Sequence, residues 1–130
     1  MTKKDHIIYW KESALQDFET AKVLFDGKRY MMCLFVCHLG IEKLLKAHWV
    51  KDNIDNFPPF THNLELLHNQ TSLNLSADDI ANLKLISAWN IEGRYEDYNK
   101  NFYKLCTQEY TANQLKTVEY LKECLLSKLP

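Results

Sequence analysis

The sequence predicts an all-α fold: an antiparallel bundle of four to five helices forming one domain over residues 1–130. Three observations lead there. Glycine and proline each occur only three times in 130 residues, so few positions can break a helix. Apolar residues recur at three- and four-residue steps over long stretches, the spacing that gathers side chains on one helix face. With 46% apolar and 25% charged residues, the chain is apolar enough to close a core without staples and too apolar to remain disordered.

The first helix is predicted from Lys4 to Phe25. Trp10, Ala14, Asp17/Phe18, Ala21 and Leu24/Phe25 share one face, and Lys11, Glu12, Glu19 and Lys22 the other. Asp26-Gly27 ends it, with glycine placed to adopt the left-handed conformation of a helix stop. A second helix is predicted from Tyr30 to Val50. Tyr30, Leu34, Cys37, Ile41 and Leu44, with Met31, Phe35, Leu45 and Trp49 beside them, cover more than one stripe. A helix apolar on most sides is central in its bundle or shared with a partner surface.

Lys51 to Phe60 reads as a polar connector in which Pro58-Pro59 forbids helix. Thr61 is the expected N-cap of a short helix, Asn63 to Asn69, carrying Leu64, Leu66 and Leu67. Ser76 followed by Asp79 resembles a capping box for a helix from Ala77 to about Glu92, with Ile80, Leu83, Ile86/Ser87 and Asn90/Ile91 on its inner face. Gly93 is expected to break or bend the chain, and the stretch from Arg94 to Thr107 has no clear period. The last helix starts at Thr107 or Thr111 and buries Leu115, Val118, Leu121/Lys122 and Leu125. Trp10, Phe18, Leu34, Ile41 and Leu83 are expected to be largely buried.

Several function classes are excluded or disfavoured. No apolar run reaches the roughly 18 residues of a membrane span; the longest, Met31 to Leu45, is interrupted by His38, Glu42 and Lys43. Lys11, Glu12, Asp17 and Glu19 stand where the apolar core of a signal peptide would lie, so a cytoplasmic protein is expected. The four cysteines lack metal spacing and sit among apolar neighbours, as inert buried thiols do. His6, His48 and His68 show no metal spacing either. A net charge of −1 gives no global attraction to nucleic acid, leaving only a local basic patch. No glycine-rich phosphate loop, Ser/His/Asp order or paired catalytic carboxylates are present. No catalytic residue, metal or cofactor is therefore assigned.

Some polar residues lie where polar residues are costly. Asp17 falls inside the apolar face of the first helix, where a carboxylate needs a partner; it reads as a structural ion pair, a wet helix edge or a polar site in a cleft. His38, Glu42 and Lys46 stack four residues apart on one row, Glu before Lys in the favourable order. They are either a solvated seam or, in so apolar a helix, the wall of a groove. Lys43, on the neighbouring row, reads as solvated. Arg94 is one of only two arginines among sixteen basic residues. It is placed to clamp a carboxylate or phosphate with two parallel hydrogen bonds, or to tie internally to Asp17, Glu42 or Asp97. His62, after the proline pair, is placed to cap or close the third helix. Tyr95, Tyr98, Phe102, Tyr103 and Tyr110 suit base stacking between Arg94, Lys100 and Lys104, or simple packing.

One set of landmarks runs in order over residues 10 to 97: Trp10 with Ala14, Asp17 and Ala21; Gly27 and Tyr30; Ile41-Glu42-Lys43-Leu44-Leu45-Lys46-Ala47; Thr61-His62-Asn63-Leu64 through Leu67; and Gly93-Arg94-Tyr95-Glu96-Asp97. In this the sequence resembles the HEPN family, named for nucleotide binding in higher eukaryotes and prokaryotes. The resemblance implies an antiparallel helical bundle that dimerises, often paired with a small nucleotidyltransferase in toxin–antitoxin modules. Many relatives are ribonucleases that use an Arg followed four to six residues later by His. Here Asn99 stands five residues after Arg94 and no histidine follows. The chain instead looks like the branch with an Arg-Tyr-Pro-Asp-like element, Glu96 replacing proline.

The resulting expectation is a homodimeric binding and interaction module. Its groove involves Asp17, His38, Glu42, Lys46, His62, Arg94, Tyr95 and Asp97, and takes a nucleotide, an RNA or a partner protein such as a nucleotidyltransferase. The alternatives are a metal-independent ribonuclease toxin and a purely structural dimer.

Overall fold

Thr2 opens the first helix: its hydroxyl accepts from the Asp5 amide at 3.2 Å while the Asp5 carboxylate accepts from the Thr2 amide at 3.0 Å, a capping box. The structure, a computed structural model, describes residues 1–94 and 100–130. Among these it shows six helices and no strand: α1 (Lys3–Asp26), α2 (Tyr30–Asp52), α3 (Leu64–Asn69), α4 (Ala77–Arg94), α5 (Asn101–Leu105) and α6 (Gln108–Ser127). No helix among the described residues is long and apolar enough to cross a membrane.

The turn from α1 to α2 corrects one expectation. Gly27 has φ −84° and continues the helical turn; Lys28 takes the left-handed position, with φ 62°. The Arg29 amide donates to Leu24 O and the Lys28 amide to Phe25 O, at 2.8 and 3.0 Å. That is the paired bonding of a Schellman stop with lysine at the position glycine usually fills.

The two helices then run antiparallel. At their far end the Lys3 ammonium donates to Val50 O, Asn53 O and Asn56 Oδ1 at 2.8, 2.7 and 2.9 Å, satisfying carbonyls that the end of α2 leaves open. Midway, a methyl built on Gly40 would stand 2.7 Å from the Phe18 ring, so a glycine is what lets the helices pass this closely.

α2 is the hub. It packs against α1, α3, α4, α5 and α6, and Leu34, Ile41, Leu44 and Leu45 are fully buried. α4 runs antiparallel to it, with Gly93 against Phe35. α6 runs parallel, with the buried His48 ring donating from Nε2 to Leu125 O at 2.8 Å. Much of the apolar breadth of α2 is thus taken up within its own chain, while Met32 remains 41% exposed.

Leu34, Ile41 and Leu83 are fully buried, and Trp10 and Phe18 are largely buried as expected, packed against the core from its edge. Each carries an ammonium over its ring, Lys46 on Trp10 at 5.2 Å and Lys122 on Phe18 at 5.3 Å, so both rings line the edge of the core.

The remaining starts follow side-chain caps. Asn63, not Thr61, caps α3, its Oδ1 accepting from the Leu66 amide at 3.1 Å; Thr61 Oγ1 accepts from the Asn63 amide just before. Ser76 Oγ accepts from the Asp79 amide at 3.1 Å and starts α4. Thr107 caps α6, while Thr111 is buried inside it. Gly93 does not break α4. It is buried and helical, and a methyl there would come within 2.8 Å of Phe35 Cβ. α5, which no periodicity foretold, puts Phe102 in the core. The cysteines are free, three of them buried, and burial pushes the Cys106 thiol up to about 12.

Candidate functional site

Three turns of α2 set His38, Glu42 and Lys46 on one row, and all three are buried. A carboxylate only 5% exposed needs partners for both oxygens. Lys46 Nζ occupies Oε2 at 3.0 Å. His62 occupies Oε1, donating from Nδ1 at 2.7 Å. The His62 backbone is held too, since His38 Nε2 donates to its carbonyl at 3.1 Å. Donation to a carbonyl identifies the Nε2–H tautomer of neutral His38. Burial, the largest influence, pushes the His38 proton affinity down. The His62 carbonyl and Glu42 oppose that fall, and the positive charges of His62 and Arg94 add to it.

His62 comes from the connector after α2, twenty residues from Glu42. The connector is fixed by Lys3 and by Asn53, whose Nδ2 donates to Trp49 O and Gln70 O, each at 2.9 Å. His62 stands just before Asn63, the residue that caps α3. Its side chain is half exposed. Nδ1 is turned to Glu42, and Nε2 has no hydrogen-bond partner among the described residues.

Arg94 is the last residue of α4. Gly93 lets the helix lie against Phe35, and the guanidinium sits 5.4 Å from that ring. The proposed tie to Asp17 or Glu42 is not made: Lys46 and His62 take the Glu42 oxygens, and Asp17 Oδ2 lies 2.8 Å from Lys43 Nζ. Among the described residues Arg94 has no ion-pair partner. Its charge nevertheless reaches His38, whose ring centre is 6.1 Å from that of His62.

The structure thus brings together His38, Glu42, Lys46 and His62, while Arg94 lies over Phe35, one turn before His38 on α2. Asp17 pairs with Lys43 instead, and that ammonium, read as solvated, is an ion-pair partner. At 2.8 Å from Lys43 Nζ, the buried Asp17 Oδ2 has its charge compensated within the fold. Tyr95 and Asp97 lie outside the described residues, as does Tyr98. Phe102 is in the core and Tyr103 is exposed under Lys100, so these two do not form one stacking surface.

One neighbouring feature was not foreseen. A cavity of about 540 Å³ between α3 and α4 is lined by His62, Asn63, Lys84, Ser87, Asn90 and Ile91, among others. Ser87 and Asn90, polar residues on the expected inner face of α4, were the available signal. A larger cavity of about 730 Å³ between α1 and α6 is lined mainly by apolar residues such as Phe18, Phe25 and Leu115 and touches none of the predicted site residues.

The family model described as HEPN domain matches residues 7–129. No curated protein matches the chain, and no solved structure does.

Proposed function

This chain belongs to the HEPN domain family, and from that premise we propose that it is a binding and interaction module whose cleft at His62, Glu42 and Arg94 takes the phosphate of a nucleotide or RNA without cleaving it. The observation that carries this reading is the buried Glu42, held by Lys46 on one oxygen and His62 on the other. The carboxylate aims the ring, and Arg94, unpaired among the described residues, adds a permanent charge suited to phosphate.

A second reading, a metal-independent ribonuclease, draws on the same pair, because a histidine oriented by a carboxylate is the usual form of a general base. Cleavage through the RNA 2′-hydroxyl requires one group to take a proton and another to return one. His38 is fully buried with Nε2 committed to the His62 carbonyl, and Lys46 is buried on Glu42. Arginine stays charged and performs neither transfer well. One exposed imidazole would have to serve both steps, which favours binding over cleavage.

The proposal extends to assembly. Ile54, Phe57 and Phe60 are 71% exposed or more, three large apolar residues within seven positions of the connector. Such a patch suits a symmetric contact between two copies. Pairing with a nucleotidyltransferase as a toxin–antitoxin couple rests on family membership alone, and a single domain acting in the cytoplasm completes the reading.

The phosphate site is tested by titrating the purified chain with ribose 5-phosphate at low salt. Binding should weaken about tenfold or more in Arg94→Ala and in His62→Ala. Equal affinity in both variants and the parent would overturn it.

A further inference from the structure

Three basic side chains converge where the turn from α1 to α2 meets the turn from α5 to α6. Lys28, Arg29 and Lys104 line a cavity of about 430 Å³ there, and no carboxylate among the described residues shares the lining. All three are exposed, so a partner in solution reaches them. None makes a salt bridge among the described residues. In a chain of net charge −1, three unpaired cations around one depression form a local field that attracts an anion.

Two backbone outliers fall in the same place. Lys28 has φ 62°, and Lys100, whose ammonium stands 5.7 Å from the Tyr103 ring centre, has φ 53°. They are the two left-handed residues other than glycine among the described ones, in a conformation that glycine adopts without strain. Folding alone does not account for lysine at either position, whereas a charge used at the surface does. The start of α2, which has no side-chain cap, adds the partial positive charge of its open amides to the same wall.

The rest of the surface decides which anion fits. The cations frame an apolar wall that includes Met31 and Cys106, with Met32 41% and Tyr103 58% exposed. Carboxylates stand just outside it: Asp26 two residues before Lys28, Glu109 two residues after Thr107, and Glu92 close enough to help raise the Cys106 thiol. A nucleic-acid backbone, charged at every phosphate, would have to run past them. A short protein segment with a few carboxylates beside an apolar side chain would not.

We propose that this cavity docks an acidic segment of a partner protein, with carboxylates on Lys28, Arg29 and Lys104 and an aromatic side chain against Met31, Met32 and Tyr103. Arg29 is suited to take a carboxylate through two parallel hydrogen bonds, and the apolar wall supplies the desolvated contact that charge alone lacks.

Fluorescence anisotropy of the full chain with a fluorescein-labelled peptide, Gly-Asp-Glu-Phe-Glu-Asp-Gly, tests this. The parent chain should bind it. Binding should weaken about tenfold or more when the acids are replaced by their amides, Gly-Asn-Gln-Phe-Gln-Asn-Gly, or the phenylalanine by glycine. Lys28→Gly and Lys104→Gln should each weaken it about fivefold or more, whereas Lys4→Gln, which alters an exposed lysine at the start of α1, should leave it unchanged. Lys28→Gly is the sharper variant: it relieves backbone strain while removing the charge, so a higher melting temperature with weaker binding separates docking from folding. No binding of the acidic peptide by the parent chain, equal binding of the amide peptide, or an equal loss in Lys4→Gln would overturn the proposal. So would a single-stranded RNA oligonucleotide that displaces the peptide and itself loses affinity in Lys28→Gly, because the cavity would then be a nucleic-acid contact.

Discussion

Glu42 shows how much one residue organises here. Its carboxylate is buried, so its two partners do more than decorate it: remove the charge and Lys46 is left as a buried ammonium without a counterion. Glu42→Gln should therefore cost about 3 kcal/mol, read as a fall in the denaturant midpoint; an unchanged midpoint would show that Lys46 escapes to water. The row of His38, Glu42 and Lys46 was legible, because four-residue spacing alone defines it. The link to His62 was not, since a contact across twenty residues depends on where the proline-containing connector is anchored. The two buried histidines carry a pH signature. Burial lowers the proton affinity of both His38 and His48, so the unfolded chain takes up protons first as pH falls. Their stabilising contribution is intact above the ordinary histidine value of about 6.5 and is lost progressively below it. Urea unfolding at pH 7.5 and pH 5 should show lower stability at pH 5, with a smaller loss in His48→Gln, whose amide still donates to Leu125 O. An identical loss in parent and variant would remove His48 from the account.

At the scale of elements, the ends of α1, α2 and α4 were legible to within two residues, because caps and breakers mark them locally. Two glycines were misread for one reason: glycine signals either conformational freedom or lack of bulk, and sequence does not say which. Gly27 was given the left-handed position that Lys28 occupies. A lysine in that conformation carries strain that glycine lacks, so Lys28→Gly should stabilise the chain by about 1 kcal/mol, seen as a higher melting temperature. A lower one would contradict the Schellman assignment. Gly93 was read as a break, whereas it serves close packing. Gly93→Ala would press a methyl on Phe35 Cβ, which moves only with its backbone, and should cost about 1–3 kcal/mol. Neutral thermal stability in this variant would mean that α4 lies farther from α2. The five residues of α5 are too few for any period to show.

At the scale of the whole molecule, the all-helical bundle was legible because apolar spacing, scarce breakers and caps agree. The role of α2 was ambiguous in sequence between hub and partner surface, and only the placement of five helices around it decides for hub. The most exposed cluster of apolar side chains within a few positions lies on the connector, at Ile54, Phe57 and Phe60, and the proposed dimer contact is placed there. Sedimentation at tens of micromolar should give a dimer, and Phe60→Asp should shift it toward monomer. A monomer for the parent chain at that concentration would contradict the assembly.

The most direct test of binding without cleavage uses one single-stranded RNA oligonucleotide, labelled at one end and incubated with the purified parent chain, Arg94→Ala and His62→Ala. Each mixture is divided between a filter-retention measurement and a denaturing gel. RNA should be retained by the parent chain and less by both variants, and every gel lane should show full-length RNA. Shortened RNA with the parent chain and intact RNA with His62→Ala would contradict it and make the Glu42–His62 pair a catalytic one.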